Sequence, residues 1–201
     1  KLNNSKTYYS FLKIIFKTEK LIEEEIIPVH KLEDFLSEQL SDDKRQILTL
    51  VENIERTRMP LELKGDYKIS FEQPIMQGVL NVTPDSFSDG GVFDDFSAAI
   101  DHAERMIEYG ATLIDVGGES TKPGAKAVSH DEEVNRVIPV IQKIADKNIP
   151  ISIDSRNSQV MQLALNAGAH IINDVSALEH DALSLEVVQK ADVPVILMHA
   201  Q

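Results

Sequence analysis

The chain has no cysteine among its 201 residues. That excludes disulfides and thiolate metal sites and agrees with a reducing compartment, so the cytoplasm is the expected location. Long apolar runs are missing too. The nearest approach, residues 8–16, is short, interrupted by Lys13 and not followed by a small-residue cleavage site, so neither a membrane span nor a signal peptide is read there. Positive charge is scarce, and unevenly so: residues 1–73 hold 12 Lys+Arg against 14 Asp+Glu, residues 74–201 only 8 against 19. A field of that sign repels nucleic acid and anionic lipid, so neither is an expected partner. An anionic substrate has to be held by local devices such as a metal, backbone N–H groups or a single cation.

What is present falls into two parts. In residues 1–73, Leu32, Phe35, Leu36, Leu40, Ile47, Val51 and Ile54 recur roughly as one helical face, which predicts a mainly helical N-terminal extension. Its interspersed charges read as a solvated face. From residue 74 to residue 201 short apolar runs alternate with amphipathic stretches, the pattern of βα units in an α/β fold. Strands are predicted at residues 75–82, 112–116, 151–154, 171–175 and 193–199. Helices are predicted at 96–109 with Gly110 as C-cap, from a Ser129/Glu132 capping box to about 147, and at 157–167 ending at Gly168. Strands this continuously hydrophobic are covered on both faces, which favours a parallel barrel or a doubly wound sheet.

Each apolar run ends in a polar side chain: Asn81, Asp115, Asp154, Asn173 and His199. Parallel strands all point one way, so these residues should converge on one rim, where barrel enzymes keep their active sites. A solvent-facing strand end explains any one of them; it does not explain Asn or Asp at nearly every strand. The loop Asn81-Val-Thr-Pro-Asp-Ser-Phe-Ser-Asp-Gly-Gly91 is rich in oxygen ligands and turn formers. Asp85, Ser86, Ser88 and Asp89 can position a hard cation, and an aromatic at Phe87 gains nothing there unless it closes over something, so a lid is expected rather than a plain surface turn. Gly117-Gly-Glu-Ser-Thr-Lys-Pro-Gly124 pairs close backbone approach with Thr121 and Lys122, which suits a phosphate, although the P-loop order is absent.

On these residues the chain resembles dihydropteroate synthase. Gly78-Val-Leu-Asn-Val-Thr-Pro-Asp-Ser-Phe-Ser-Asp-Gly-Gly91 and Gly110-Ala-Thr-Leu-Ile-Asp-Val-Gly-Gly-Glu-Ser-Thr-Lys-Pro-Gly124 are similar to that family's two signatures. Ile151-Ser-Ile-Asp-Ser155, Gly168-Ala-His-Ile-Ile-Asn-Asp174 and Leu197-Met-His-Ala-Gln201 continue the likeness in the family's order. The resemblance implies a TIM (β/α)8 barrel of which the first five βα strands are present. It implies that Asp115, Asp154, Asn173, Val175 and Met198 line a pterin pocket, that Asn81 binds Mg²⁺ and that Phe87, Thr121, Lys122 and Pro123 frame p-aminobenzoate and pyrophosphate. Asp89, Asp115 and Asp154 are the implied catalytic carboxylates. The implied reaction joins 6-hydroxymethyl-7,8-dihydropterin pyrophosphate to p-aminobenzoate, the step that sulfonamides target, in an enzyme expected to form a homodimer.

Two departures stand out. Lys122 replaces the family's usual Arg, exchanging a planar fork for a point charge. The family's later strands, which bring a further pterin-contacting Asp, a Lys, an Arg and a His, lie beyond Gln201, so the chain is expected to be part of a longer or completed barrel. The rival readings are a pterin-binding methyltransferase domain, which has no need of residues 85–91 and 121–123, and a non-catalytic pterin-binding fragment. His30, His102, His130 and His180 lack metal-ligand spacing and read as surface or helix residues, whereas His199 divides evenly between pocket lining and a structural role.

Overall fold

Near the N-terminus two runs rich in Ile and Phe pair as a hairpin: β1 (Phe11–Lys17) lies antiparallel to β2 (Ile22–Pro28). The computed structural model describes residues 8–17, 21–83, 92–119 and 128–198. They divide into two compact units, one holding Lys1–Met59 with Ser70–Gln73 and the other Pro60–Ile69 with Pro74–Gln201. In the first unit the hairpin is followed by a 3-10 turn (Val29–Lys31) and two helices, α1 (Leu32–Ser37) and α2 (Ser41–Glu55). The single helical face read from the sequence is therefore split at Leu40, whose extended backbone opens α2. The hairpin was not foreseen, because neither run alternates apolar and polar residues: Ile14, Ile15 and Phe16 are consecutive, as are Glu23, Glu24 and Glu25.

The second unit begins with a small hairpin, β3 (Leu61–Glu62) and β4 (Lys68–Ile69). Residues 60–69, grouped with the extension on sequence, cluster with the barrel strands instead. Leu63 and Ile69 are buried, and the Tyr67 ring meets His170 edge-on, centroids 4.6 Å apart.

The five predicted strands form one parallel sheet in sequence order: β5 (Gln77–Asn81), β6 (Leu113–Gly117), β7 (Ile151–Asp154), β8 (Ile171–Asp174) and β9 (Val195–Leu197). Between them run α3 (Val92–Glu108), α4 (His130–Ala145), α5 (Ser158–Ala167) and α6 (Ser184–Ala191). Strands in unbroken sequence order, with a helix between each pair, are the first five strands of a TIM barrel.

The predicted caps form. The Ser129 hydroxyl accepts the Glu132 N–H at the head of α4, and Gly168, left-handed at φ 118°, closes α5. One face of the sheet is apolar except for Asp174 at the end of β8. Leu80, Ile114, Val116, Ile153 and Ile172 are completely buried in one cluster with Ala99 and Ala103 of α3, Val137, Val140, Ile141 and Ile144 of α4, and Val160, Met161 and Ala164 of α5. Fully burying a side chain of this kind contributes about 1.5–3 kcal/mol, so this layer fixes the register that sets the opposite face.

Candidate active site

Register decides which polar side chains share that opposite face. Asn81 pairs with Gly117, Gly117 with Asp154, Asp154 with Asn173 and Asn173 with Ile196, one row across the sheet near the strand ends. Two residues earlier in each strand lies a second row on the same face, Val79, Asp115, Ser152 and Ile171. The structure thus brings Asn81, Asp115, Asp154 and Asn173 to one side of the sheet. It corrects the reading of Asp115 as a strand-end residue. Asp115 lies in the middle of β6, because β6 continues through Val116 and Gly117, and its carboxylate sits one layer below the rim.

Being deeper, Asp115 is buried and needs partners. The Ser152 hydroxyl donates to its Oδ1 at 2.5 Å and the Asn173 amide to its Oδ2 at 2.9 Å, joining three strands through one carboxylate. Burial pushes the Asp115 carboxyl up from the ordinary range, and hydrogen bonds from Ser152, Asn173 and Gln77 pull part of that back. The bond to Asp115 uses the Asn173 N–H, and the Asn173 Oδ1 is buried with no partner among the described residues.

In the row above, Gly117 separates Asn81 from Asp154. A Cβ built on Gly117 would stand 3.5 Å from Asp154 Oδ2 and 3.7 Å from Asn81 Oδ1, so both oxygens border the space over a residue without a side chain. Asp154 is pushed up to about 7, first by burial and then by the negative charges of Asp115, Glu133, Asp174 and Glu119. A carboxyl raised by burial and by neighbouring charges makes Asp154 a candidate reacting or ligand-binding group.

Other residues are placed less directly. Val175 follows β8 half-buried, and Met198 follows β9, partly exposed, with its N–H on the Asp174 carbonyl at 3.1 Å. Phe87, Asp89, Thr121, Lys122, Pro123 and His199 lie outside the described residues. Among the described residues no group of three or more His, Asp or Glu is poised for a metal.

Sequence reasoning missed Ser152, the hydroxyl in an otherwise apolar strand, and that anomaly was its signal. It also missed Asp174. Fully buried, it accepts from Ser176 N–H at 2.7 Å, Ser176 Oγ at 2.8 Å and Leu178 N–H at 2.9 Å, shaping the turn after β8.

Comparison with known proteins decides the family: the model described as pterin binding enzyme matches residues 77–201. The chain belongs to the pterin-binding enzyme family. Within this pterin-binding family, the dihydropteroate synthase of Bacillus subtilis (strain 168) is 50% identical over 129 residues, covering 64% of this chain and 45% of that protein. That of Escherichia coli (strain K12) is 48% identical over 134 residues, 66% of this chain and 47% of that protein. Among solved structures, Xanthomonas albilineans dihydropteroate synthase with 4-aminobenzoic acid superposes with TM-score 0.66 at 46% identity, covering 70% of this chain and 51% of that one. The same organism's enzyme in complex with 7,8-dihydropteroate gives TM-score 0.64 at 41% identity, covering 71% and 52%. The chain spans about half the length of the curated relatives it matches. Among the described residues no helix is long and apolar enough to cross a membrane.

Proposed function

We propose that the chain supplies the first half of a dihydropteroate synthase site, in which 6-hydroxymethyl-7,8-dihydropterin pyrophosphate condenses with p-aminobenzoate. The observation that carries this reading is the buried Asp115–Asn173 pair beside Asp154, with the Asn173 carbonyl oxygen free of any described partner. A pterin presents an edge of adjacent amide and amidine donors and acceptors. Carboxyl and amide groups fixed side by side match such an edge and leave costly unpaired groups against a wrong ligand. Relatives at 46–50% identity named dihydropteroate synthase support the same reading.

In this reading Asp154 and Asn173 bond the pterin ring from the rim, and Asp115, all of whose described hydrogen bonds are donated to it, holds Asn173 in the orientation that presents its oxygen. Val175 and Met198 complete the pocket wall. The bond from the pterin's methylene carbon to pyrophosphate breaks with both electrons leaving on oxygen. The arylamine nitrogen then forms the new C–N bond and gives up a proton. The developing cation is delocalised into the pterin, above the negative charge of Asp115 and Asp154.

Asn81 offers a hard carbonyl oxygen near Gly117 and would be the residue to hold Mg²⁺, which when bound would supply charge neutralisation to the leaving group. We assign Phe87, Thr121, Lys122 and Pro123 to p-aminobenzoate and pyrophosphate, and Asp89 to ordering the closed site, from the resemblance alone. A cytoplasmic homodimer is part of the same proposal. The sequence of residues 85–91, which a methyltransferase role does not need, favours the synthase reading.

The test supplies the complete protein with both substrates and Mg²⁺ and follows pyrophosphate and dihydropteroate together. Equal release of the two is expected; pterin binding without pyrophosphate release would overturn the synthase reading and leave a binding function.

A further inference from the structure

Beside the rim, and outside every role above, lies a polar clamp centred on Glu119. Its side chain is only 9% exposed, although it follows β6 by two residues. Arg156, two residues past the end of β7, grips it with a fork: Nη2 donates to Oε1 at 3.0 Å and Nε to Oε2 at 3.2 Å. The Val128 N–H, just before α4, also donates to Oε1 at 3.4 Å. A bidentate guanidinium–carboxylate pair fixes orientation as well as distance. Three separate pieces of chain therefore meet on one carboxylate: the end of β6, the end of β7 and the approach to α4.

The neighbouring backbone is held just as closely. Arg136 Nη1 donates to the Gly118 carbonyl at 2.8 Å and its other nitrogen pairs with Glu132. A Cβ on Gly118 would stand 2.7 Å from Val137 Cγ1 and 3.0 Å from Glu133 Cγ, so α4 sits directly on this backbone. Below it, Asn157 donates to Glu133 Oε2 at 2.6 Å. Every one of these contacts lies within two residues of Gly117 or three of Asp154, or reaches them through α4.

We propose that Glu119 is a positioning residue: through Arg156 and the Val128 N–H it ties the chain leaving β6 to the chain leaving β7, just beyond the paired Gly117 and Asp154, and so holds the Asp154 carboxyl in the place its ligand requires. Arg156 and Glu119 act as one unit, and neither touches the ligand. The proposal rests on the pterin reading for the identity of that ligand, but the setting of Asp154 can be measured without it.

Two measurements on the complete protein test this. The first is the carbon-13 NMR titration of the Asp154 carboxyl. Arg156→Lys keeps the charges of the pair and loses only the fork, so a moved midpoint reports a changed setting of Asp154 and is the expected result; an unchanged midpoint overturns the proposal, whatever the ligand is. The second is the affinity for 6-hydroxymethyl-7,8-dihydropterin pyrophosphate. Glu119→Ala and Arg156→Ala are each expected to weaken binding about tenfold, and the double variant no more than either single, because both break the same unit. Arg156→Lys, which keeps the charge but loses the fork, should fall between wild type and Arg156→Ala. Additive losses, or affinities within twofold of wild type, overturn the positioning role. If the alanine variants fail to fold, Glu119→Gln and Arg156→Lys carry the same comparison. If the wild-type protein binds no pterin while Arg156→Lys still moves the Asp154 midpoint, the synthase reading is sunk and the clamp stands.

Discussion

Asn173 on β8 donates to Asp115 on β6 across 2.9 Å, spanning the strand between them, while that strand's own Ser152 donates to the other oxygen of the same carboxylate. Three strands are thereby locked by one buried acceptor. Asp115→Asn puts an amide where two donors converge and strands one of them. A buried group left unpaired costs about 1–3 kcal/mol. Urea unfolding of Asp115→Asn is expected to show a loss of that size, and Ser152→Ala, which leaves the buried Asp115 Oδ1 without that donor, a loss of the same order.

Asp154 gives the stability a pH dependence of definite sign. Its folded-state carboxyl is raised from 3.8 to about 7, so between those values the folded chain binds more protons than the unfolded one. The stabilisation is complete below pH 3.8 and is lost as pH rises through 7. Asp154→Asn should match wild type near pH 4 and exceed it in stability at pH 8, measured as unfolding midpoints across that range. A variant less stable than wild type at pH 8 contradicts the assignment.

His170 acts at the opposite end of the strands and in the opposite direction. Its Nδ1 accepts the Ile151 N–H at 3.2 Å, which only the unprotonated nitrogen can do, and burial lowers its pKa below 6.5. Below pH 6.5 the unfolded chain takes up a proton that the folded chain resists. Its contribution is present above 6.5 and fades as pH falls. His170→Gln should flatten the acid side of the stability profile between pH 6.5 and 5, on the same unfolding measurement.

Gly118 tests the packing of α4 against the rim. A methyl there meets Val137 Cγ1 at 2.7 Å, so Gly118→Ala must displace the helix, at a cost of about 1–3 kcal/mol for an overpacked contact. Adding Val137→Ala removes the obstructing methyl. The double variant should therefore be more stable than the sum of the single losses, a coupling read from a double-mutant cycle.

Much of this was legible in the sequence, for reasons that can be stated. The five strands were found because their apolar runs are covered on both faces, and β7 was placed at its observed bounds because Pro150 and the polar Asp154 frame it. Ser129 and Gly168 announced helix ends through chemistry that is local. The hairpin of β1 and β2 was not legible, since Glu23, Glu24 and Glu25 break the alternation that identifies a strand.

At the site, Asn81, Asp154 and Asn173 were found as polar residues at or near strand ends. The depth of Asp115 depended on how far β6 runs, which Val116 and Gly117 do not reveal. Glu119 and Arg156 were missed because their pairing spans 37 positions and joins two ordinary surface-type residues that only the folded sheet brings together.

The central claim is that the Asn173 oxygen, left free by its bond to Asp115, recognises the pterin. Calorimetric titration of 6-hydroxymethyl-7,8-dihydropterin pyrophosphate into the complete protein and its Asn173→Ala variant tests it most directly. Loss of a hydrogen-bonding partner that leaves the ligand's donor unpaired should weaken binding by roughly tenfold or more. Equal affinity in the two proteins would contradict the account.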